Sequence, residues 1–391
     1  MVSEKIVLNN PERFEKIPEI KKEKLISAAE KATDKLEAFA KKNPCAFPGT
    51  CSNNFKYQCA ENNNWEAGMY TGCYWLAYEL TGNEFFKREA ESHIPSYRTR
   101  LENKTGLRGH DIGFPFMPSC VAAWKVTGNE EARKIALDTA EHFINNSYFS
   151  KGEYKCIHTT THHTMMDTLM NATLLLWAGA ETGDKKFTEA GLNQSITTNA
   201  LLIRADGSSH HHYIFDPTTE APLYPKTWQG HSDDSCWSRG HAWGIYGFPV
   251  AYDYTGTDFL PQLHRDITYF MLNHLPYDCI PYWDYDFTDG DESRDSSAGL
   301  ISACGMLEMA KLLPDSAEQK SVFKSAAMQI IDATIDNCTG DIGVEYDGLV
   351  NKVTHAKPQG QGIDECAVYG DYFYLEALAR LIKGEDFIRY W

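Results

Sequence analysis

The chain has 391 residues, of which 42% are hydrophobic and 13% aromatic, so it can bury a large core. Its net charge of −17, with no basic run, excludes nucleic acid as an expected partner. No stretch of about 18 apolar residues occurs, so neither a membrane-spanning helix nor a membrane partner is expected.

The cysteines predict a cellular compartment. All eleven are irregularly spaced without a C-x-x-C pair, and the sequence opens without a signal-peptide pattern. We therefore expect reduced thiols in a cytoplasmic protein that is a monomer or a weak homo-oligomer. The oxidation state of Cys45, Cys51 and Cys59, which lie close together in the sequence, stays open.

The first predicted helix covers residues 23–42 and follows an N-terminal extension over residues 1–22. Beyond it, one pattern recurs: an apolar helix, a Thr-Gly turn and a second helix. The glycines of these turns are Gly82, Gly128, Gly183 and Gly256. Glycine directly after a helix adopts the left-handed C-cap conformation, and a following Asn or Asp caps the next helix. The pattern predicts tight helical hairpins.

About twelve helices are predicted, and they pair into six hairpins. Their expected ranges are 23–42, 67–81, 84–98, 114–127, 130–146, 163–182, 186–202, 239–255, 259–274, 297–313, 316–336 and 365–384. Short strands are predicted at 342–346 and 349–353. Hairpins with short turns on one side and long loops on the other favour an all-α fold, an (α/α)6 barrel formed by a single domain over residues 1–391. The long loops should gather at one rim, where binding sites usually lie.

Two aspartates on successive hairpins form the best candidate acid/base pair. Asp111, in the segment GHDIGF, directly precedes a helix, where it is either an N-cap or a carboxylate held at the rim by glycines. Asp167 lies inside the apolar run MMDTLMNATLLLWA, so its carboxylate needs a partner or a raised pKa. A raised pKa is the profile of a general acid, and hydrogen bonding to nearby backbone is the structural alternative. Asn171 lies one turn on and shares its face.

Histidines cluster at 158–163 and at 210–212. His158 and His162 are four residues apart, but no glutamate stands between them in a His-Glu-x-x-His pattern, so no metal is expected. We expect one histidine of 210–212 to bind a substrate oxygen instead. The sequence has no Gly-rich phosphate loop and no G-x-S-x-G motif, so nucleophilic serine chemistry is not supported.

The most unusual stretch is QGHSDDSCWSRGHAW, residues 229–243. It crowds tryptophan, arginine and hydrogen-bonding groups together, and no helical apolar period begins before Trp243. Aromatic rings stack on sugar rings and a guanidinium forks onto a carboxylate, so the composition favours a site for a sugar acid. An aromatic-rich structural turn is the alternative.

Several segments together resemble the unsaturated glucuronyl hydrolases of glycoside hydrolase family 88. They are NWxxG at 64–68, HDIGF at 110–114, MMDTLMN at 165–171, HHHYIFDP at 210–217, QGHSDDSCWSRGHAW at 229–243 and GDYFYLEALARL at 370–381. The resemblance implies an α/α six-hairpin barrel. It also implies substrates that end in a 4,5-unsaturated uronic acid, which lyases produce from chondroitin, hyaluronan or heparin.

The same resemblance implies hydration of a vinyl ether rather than attack at the anomeric carbon. Asp167 corresponds to the general acid/base that protonates C4 of the C4=C5 bond. Water then adds at C5, and the hemiketal opens with release of an α-keto uronic acid. Asp111 corresponds to a second aspartate that holds sugar hydroxyls and tunes its partner, and no metal or organic cofactor is implied. The substrate-binding residues implied are Trp65, His110, His211, Gln229, Trp237, Arg239 and Trp243, with Arg239 the candidate for the substrate carboxylate.

Two features depart from the family pattern. His241 stands where the family often has Gln, and the loop 352–364 lacks the Ser-and-Lys pattern of members that prefer sulfated sugars. Gln359 and Gln361 stand near the positions of that pattern, and Lys352, His355 and Lys357 could replace the missing cation. The preference for sulfated substrates therefore stays open.

Three alternatives remain. An unsaturated rhamnogalacturonyl hydrolase of family 105 shares the barrel and the two aspartates, but the 229–243 stretch and the triple histidine disfavour it. A non-catalytic sugar-binding toroid would require the loss of Asp111 or Asp167, and both are present. A metal-dependent epimerase or lyase on a similar toroid would be sensitive to chelators.

Overall fold

The computed structural model describes residues 6–44, 47–340 and 342–391. In these ranges the helices α1 to α14 span Lys22–Lys42, Ala67–Thr81, Glu84–Glu102, Gly113–Phe116, Ala122–Thr127, Glu130–Ser147, Thr168–Asn171, Thr173–Thr182, Lys185–Leu201, Ser238–Thr255, Leu260–His274, Ser296–Leu312, Glu318–Cys338 and Val368–Lys383. A π-helical turn at Met117–Val121 joins α4 to α5, and α7 runs almost directly into α8. The segments therefore form twelve helical units, as the sequence predicts.

The turns of the hairpins follow the predicted chemistry. All four glycines predicted as C-caps have a φ between 63° and 74°. Asn83 then starts α3 by accepting the backbone N–H of Phe85 (3.0 Å), and Asn129 starts α6 by accepting that of Ala132 (3.0 Å). In three of the four turns the C-cap and the next N-cap are adjacent residues, and the turn after Gly256 is only a few residues longer. The connections that vary in length therefore lie at the other ends of the helices.

The helical units form two concentric rings. The inner units are α2, α4–α5, α7–α8, α10, α12 and α14; each packs against the next, and α14 closes onto α2. Inner helices are buried on all sides, as in α2, where every residue from Ala67 to Ala77 is buried. The outer helix α1 is amphipathic and turns Leu25 and Leu36 inward. The prediction of an (α/α)6 barrel is confirmed. Within the described ranges, no helix has the length and apolarity needed to cross a membrane.

Strands form at other places than those predicted. The strands β1 to β7 span Phe47–Pro48, Cys59–Ala60, Tyr148–Phe149, Cys156–Ile157, His163–Met165, His212–Phe215 and Pro222–Lys226. Strands β5, β6 and β7 form an antiparallel sheet in which His163 pairs with Ile214 and His212 with Lys226. The predicted helix 163–182 is therefore wrong at its start, because the backbone of residues 163–165 bonds to β6 and the helix begins only at Thr168.

The predicted strands 342–346 and 349–353 are wrong. The described residues there form bends, apart from an isolated bridge between Val353 and Glu365. The backbone N–H groups of Leu349 and Val350 donate to the carboxylate of Asp371 (2.6 and 3.2 Å), so these two donors are not available for a sheet. A side chain distant in the sequence thus replaces the strand partner.

The described cysteines are free thiols. Of the group that lies close together in the sequence, Cys51 is half-buried and Cys59 is exposed, whereas Cys45 lies outside the described residues. The remaining eight described cysteines are buried. Burial raises the pKa of several, for example that of Cys120 to about 12, so these thiols resist ionisation.

Candidate active site

A cavity of about 330 Å³ lies at the N-terminal ends of the inner helices. Trp65 precedes α2, Asp111 precedes α4, Asp167 precedes α7 and Trp237 precedes α10. Its walls consist of Trp65, His110, Asp111, Phe114, Met165, Asp167, Trp228, Gln229, Trp237, Arg239, Trp243, His355, Ala356, Gln359 and Gln361. Helix N-termini carry partial positive charge, so this end of the barrel favours an anionic ligand.

Eight of the nine residues predicted for the site line this cavity. The exception is His211, which lies behind the wall. The sequence did not assign a role to Phe114, Met165, Trp228 or Ala356, and it noted His355, Gln359 and Gln361 only as part of the unusual loop. Trp228 stands directly before the stretch 229–243, so an aromatic residue beside that stretch was the signal that could have found it.

Asn171 joins the two aspartates. Its side-chain nitrogen donates to Asp111 Oδ1 (3.2 Å) and to the backbone carbonyl of Asp167 (3.2 Å). Its side-chain oxygen accepts the backbone N–H of Phe114 (2.9 Å), and this contact fixes the orientation of the amide because a backbone nitrogen only donates. Gly113 makes the approach possible, since a Cβ there would lie 2.1 Å from the carbonyl oxygen of Asn171.

Asp167 has the properties of a proton donor. The residue is partly buried, and its Oδ2 is fully buried without a hydrogen-bond partner in the described part of the chain. Burial raises its pKa from 3.8 to about 6; His110 opposes this rise and Asp111 adds to it. A carboxyl group with this pKa keeps a protonated fraction near neutral pH and can protonate a ligand.

Asp111 is the more open of the two carboxylates. About a third of its side chain (34%) is exposed, and its Oδ1 lies 3.3 Å from His110 Nε2. The contacts with Asn171 and His110 both involve Oδ1, and no hydrogen bond from the described residues engages Oδ2. The two aspartates therefore have different environments, one mostly desolvated and one polar.

Aromatic rings form the walls and the floor. Trp65 stacks on Tyr369 with ring centroids 5.2 Å apart, and it leans on Phe114 at 5.3 Å. Phe114 in turn contacts Trp243 at 4.9 Å. These rings hold one another in fixed orientations, so the cavity is preformed.

Arg239 is the most constrained residue of the site, with 1% of its side chain exposed. Its Nη1 donates to the carboxylate of Asp295 and to the carbonyl of Thr354 (2.7 Å), and its Nη2 donates to the carbonyl of His355. Only Nε–H and one Nη2–H have no acceptor in the described part of the chain. The predicted contact with a substrate carboxylate therefore depends on these two donors.

His211 supports the wall from behind. Its ring lies 4.5 Å from that of Trp237, whose other neighbour is the Arg239 guanidinium at 4.6 Å. His211 Nδ1 contacts Thr227 Oγ1 (3.1 Å) and accepts the backbone N–H of Trp228 (3.3 Å). Nδ1 is thus an acceptor, which places the proton of the neutral ring on Nε2. Its predicted contact with substrate stays a prediction.

Two glutamines tie the loop 352–364 to the opposite edge of the cavity. Gln359 Nε2 donates to the carbonyl of Trp228 (2.7 Å). Gln229 Nε2 donates to the carbonyl of His355 (3.1 Å). Together with Arg239, these hydrogen bonds hold the loop as a wall of the cavity.

His241 lies away from the cavity. It is fully buried, with Nε2 bonded to the carbonyl of Ile267 (2.8 Å) and Nδ1 to Ser209 Oγ (3.0 Å). Burial lowers its pKa to about 4, so the ring is neutral and donates one of these hydrogen bonds. His241, which stands where the family often has glutamine, therefore joins α10 to α11 by a hydrogen bond. It takes no part in the hydrogen bonds of Arg239.

The histidines at 163 and 212 are also neutral, since burial lowers their pKa values to about 4 and about 3. No group of three or more histidine, cysteine, aspartate or glutamate side chains in the described residues is arranged to hold a metal ion. The rings pack on one another at 4.7 Å and against Trp228.

The cavity of this α/α barrel combines a protonatable carboxyl group, aromatic walls and helix N-termini. These are the features of an enzyme that acts on acidic sugars. Comparison with known proteins gives the family. Glycosyl Hydrolase Family 88 matches residues 40–363. The unsaturated chondroitin disaccharide hydrolase of Streptococcus pneumoniae (strain ATCC BAA-255 / R6) is 36% identical over 390 residues, covering 98% of each chain.

Solved structures agree. The unsaturated glucuronyl hydrolase from Streptococcus agalactiae superimposes with a TM-score of 0.94 at 33% identity, over 99% of this chain and 98% of that one. A variant of that enzyme in complex with dGlcA-GalNAc6S gives a TM-score of 0.89 at 32% identity over the same shares. The chain belongs to glycoside hydrolase family 88.

Proposed function

We propose that the protein hydrolyses oligosaccharides whose non-reducing end is a 4,5-unsaturated uronic acid, of the kind that glycosaminoglycan lyases release. The observation that carries this proposal is Asp167, a carboxyl group with a pKa of about 6 inside an aromatic-walled cavity. The helix N-termini around the cavity favour the carboxylate of such a sugar. The two streptococcal relatives support the same substrate class.

The proposed reaction adds one water and needs no oxidant. Asp167 donates its proton to C4 of the C4=C5 bond, and the ring oxygen stabilises the positive charge that develops at C5. Water adds at C5 and passes a proton to the Asp167 carboxylate, which restores the acid. The hemiketal then opens between C5 and the ring oxygen. This leaves a hydroxyl at C1, from which the second sugar departs, and the product is an α-keto acid.

The remaining residues bind and orient the substrate. Asp111 holds sugar hydroxyls, and its negative charge raises the pKa of its partner. Arg239 meets the substrate carboxylate through its two available donors, and His110 and Gln229 contact hydroxyls. The rings of Trp65, Trp237 and Trp243 form the surfaces on which the sugar lies, with His211 as a further contact.

We infer a preference for unsulfated substrates. Arg239 is the one fixed cation among the described residues that line the cavity, and Asp295 already pairs with it. Burial and Arg239 lower the pKa of His355 to about 3, so this ring is neutral. The Nζ of Lys357 is engaged by Glu292 outside the cavity. A sulfate group would therefore enter a site with no free cation to compensate the loss of its hydration.

One set of assays tests these proposals. The conjugated C4=C5 carboxylate absorbs ultraviolet light, and hydration removes that absorbance. We expect decay with unsaturated, unsulfated chondroitin or hyaluronan disaccharides, unaffected by a chelator, and a kcat/KM at least tenfold lower on 6-sulfated disaccharide. Decay only on an unsaturated rhamnogalacturonan disaccharide would identify the family 105 activity instead. No decay on any of them would leave a sugar-binding toroid.

We also propose a cytoplasmic location and a monomer or weak homo-oligomer. The buried, unpaired thiols in the described residues support the first. Cell fractionation and light scattering test the two proposals separately. Recovery outside the cell, or a tight oligomer at low concentration, would contradict them.

A further inference from the structure

We propose that Trp228 determines specificity for the second sugar, the ring attached to the unsaturated uronate. This inference rests on the proposed function, because it names the part of the same substrate that Trp228 contacts. The residue was not predicted from the sequence. Three independent features of its surroundings carry the inference.

The first feature is exposure. Trp228 lines the cavity that contains Asp167, yet half of its side chain (50%) remains exposed. The other indoles of the wall are less open: Trp65 is partly buried, Trp237 is 3% exposed and Trp243 is 0% exposed. A large aromatic surface left open at the mouth of a binding cavity is costly in water and available to a ligand.

The second feature is a fixed ring. The indole packs nearly perpendicular to His163, with centroids 5.0 Å apart and an interplanar angle of 84°, and it contacts His212 at 5.2 Å. These distances are those of edge-to-face aromatic pairs. Both histidines are buried and neutral, so they act as aromatic supports for the indole. This gives the histidine clusters of the sequence a role without a metal.

The third feature is a fixed backbone. The N–H of Trp228 donates to His211 Nδ1 (3.3 Å), and its carbonyl accepts from Gln359 Nε2 (2.7 Å). Both partners belong to other segments of the site, so the residue is held from two sides. A ligand that stacks on the indole therefore does not have to order it first.

The location decides which sugar is bound. Asp167 must reach C4 of the unsaturated ring, so that ring lies inside the cavity between the buried aromatic residues. The sugar attached at C1 then extends toward the mouth, where the open indole lies. Sugar rings present C–H groups on their faces, and an aromatic face binds them without requiring a charge.

The test compares two substrates. One is unsaturated chondroitin disaccharide, and the other is the methyl glycoside of the same unsaturated uronic acid, which has no second ring. We expect Trp228→Ala to raise KM for the disaccharide about tenfold, the scale of one aromatic contact, and to change KM for the methyl glycoside less than twofold. Trp228→Phe should recover most of the loss. Tyr224→Ala is the matched control, because Tyr224 is equally exposed (53%) on β7 but lies outside the cavity wall.

The outcomes separate this inference from the proposed function. Equal effects on both substrates would mean that Trp228 only supports the fold, and an unchanged KM for the disaccharide would remove its role; either result overturns the inference. Wild-type protein that cleaves neither substrate would overturn the proposed function, and the inference with it. Turnover of the methyl glycoside by every variant shows that the chemistry is intact and that only the second subsite has changed.

Discussion

Asp167 has a raised pKa and a free carboxyl oxygen, and both follow from its position at the start of α7. The apolar segment around it buries Oδ2, and the amide of Asn171 bonds to its backbone carbonyl rather than to its side chain. A nearby hydrogen-bond donor to the carboxylate would lower the pKa. The backbone N–H of Asp167 has this effect here, but desolvation outweighs it and remains the dominant influence on the pKa.

The first prediction concerns the pH dependence of turnover. The acid must be protonated to react, so kcat/KM should fall as the pH rises through about 6, with the protonated fraction of Asp167. Initial rates of absorbance loss between pH 4.5 and 8.5 measure this. The Asp167→Asn variant should have a kcat/KM at least about a thousandfold lower than that of wild type. Its residual rate should not fall as the pH rises through about 6. A rate that continues to rise above neutrality would exclude Asp167 as the acid.

The second prediction concerns stability. The folded-state pKa of Asp167, about 6, lies above its ordinary value of 3.8, so wild-type protein loses stability as the pH rises across this interval. Asparagine does not titrate. The free energy of unfolding of Asp167→Asn, relative to that of wild type, should therefore increase by about 1–2 kcal/mol between pH 4 and pH 8. This is less than the full pKa shift implies, because the residue is partly exposed. Urea unfolding at both pH values measures this, and a pH-independent difference would contradict it.

At the scale of elements, the site depends on how neighbouring hairpins are joined. Asn171 at the end of α7 holds the segment before α4, and Gly113 lets the two backbones approach. Asp295 at the start of α12 neutralises Arg239, which holds the loop before α14. Asp111 and the loop 352–364 are thus held by side chains of two different inner helices, α7 and α10.

The third prediction is that Asn171→Ala lowers kcat by ten- to a hundredfold. The change removes the donor to Asp111 and leaves the buried N–H of Phe114 unpaired, which costs about 1–3 kcal/mol of stability. KM should change less, because the aromatic walls remain. The Asn171→Asp variant keeps the acceptor for Phe114 but sets a second carboxyl group against that of Asp111, so it should recover neither the rate nor the full stability. A kcat within twofold of wild type for Asn171→Ala would show that the hydrogen bonds of Asn171 are not needed for turnover.

The fourth prediction is that Asp295→Asn loosens the cavity wall. Arg239 would keep its two backbone carbonyls but lose its counter-charge, which for a buried pair costs about 3 kcal/mol. KM should rise with the mobility of the loop 352–364. Glu292→Gln is the control in the same region, since it breaks the more exposed pair with Lys357 and should cost less than about 1 kcal/mol. Similar losses for both variants would show that the Asp295 carboxylate does not hold Arg239 in place.

The elements that could be predicted are those with local signals. Thr-Gly turns and amphipathic periodicity predicted the helices. Most helix ends lie within a few residues of their predicted positions. The start of α7 and the strands could not be predicted, because the short mixed stretch 163–167 has no clear period of its own. Its conformation depends on pairing with β6, some fifty residues away. The bends at 349–353 depend on Asp371, which no local pattern connects to them.

At the scale of the whole molecule, the barrel axis is filled by aromatic rings up to the floor of the site. Trp391 is fully buried, stacks on Phe373 with centroids 6.0 Å apart, and meets Phe114 edge-to-face at 6.0 Å. Its Nε1 donates to Glu376 Oε2 (3.0 Å). Phe114 is itself part of the cavity, so packing inside the barrel reaches the residues that line the candidate site.

The fifth prediction follows from this column of rings. Trp391→Ala should lower the free energy of unfolding by about 3–5 kcal/mol, the cost of a large buried cavity plus an unpaired carboxylate oxygen. Trp391→Phe should lose less, because it keeps the ring contact with Phe114. Thermal and urea unfolding measure both variants. A loss below about 1 kcal/mol for the alanine variant would show that the barrel repacks around the gap.

The ring could be predicted from the sequence because one local unit, the helical hairpin, recurs five times along the chain, and the remaining helices α14 and α1 pack on each other. Eight of the nine residues predicted for the site line the cavity, because several sequence segments were interpreted together. What could not be predicted lies between distant segments: Arg239 with Asp295, Trp228 with Gln359, and Trp391 with Phe114. Such contacts have no periodicity, so only the folded structure shows that the arginine is largely engaged and that the tryptophan is open.

The most direct measurement of the central claim is the loss of ultraviolet absorbance from unsaturated, unsulfated chondroitin disaccharide, followed side by side with wild-type protein and Asp167→Asn. We expect rapid decay with wild type, decay at least about a thousandfold slower with the variant, and retained disaccharide binding by the variant in calorimetry. Comparable decay with both proteins would show that another group supplies the proton. No decay with wild type would contradict the proposed reaction itself.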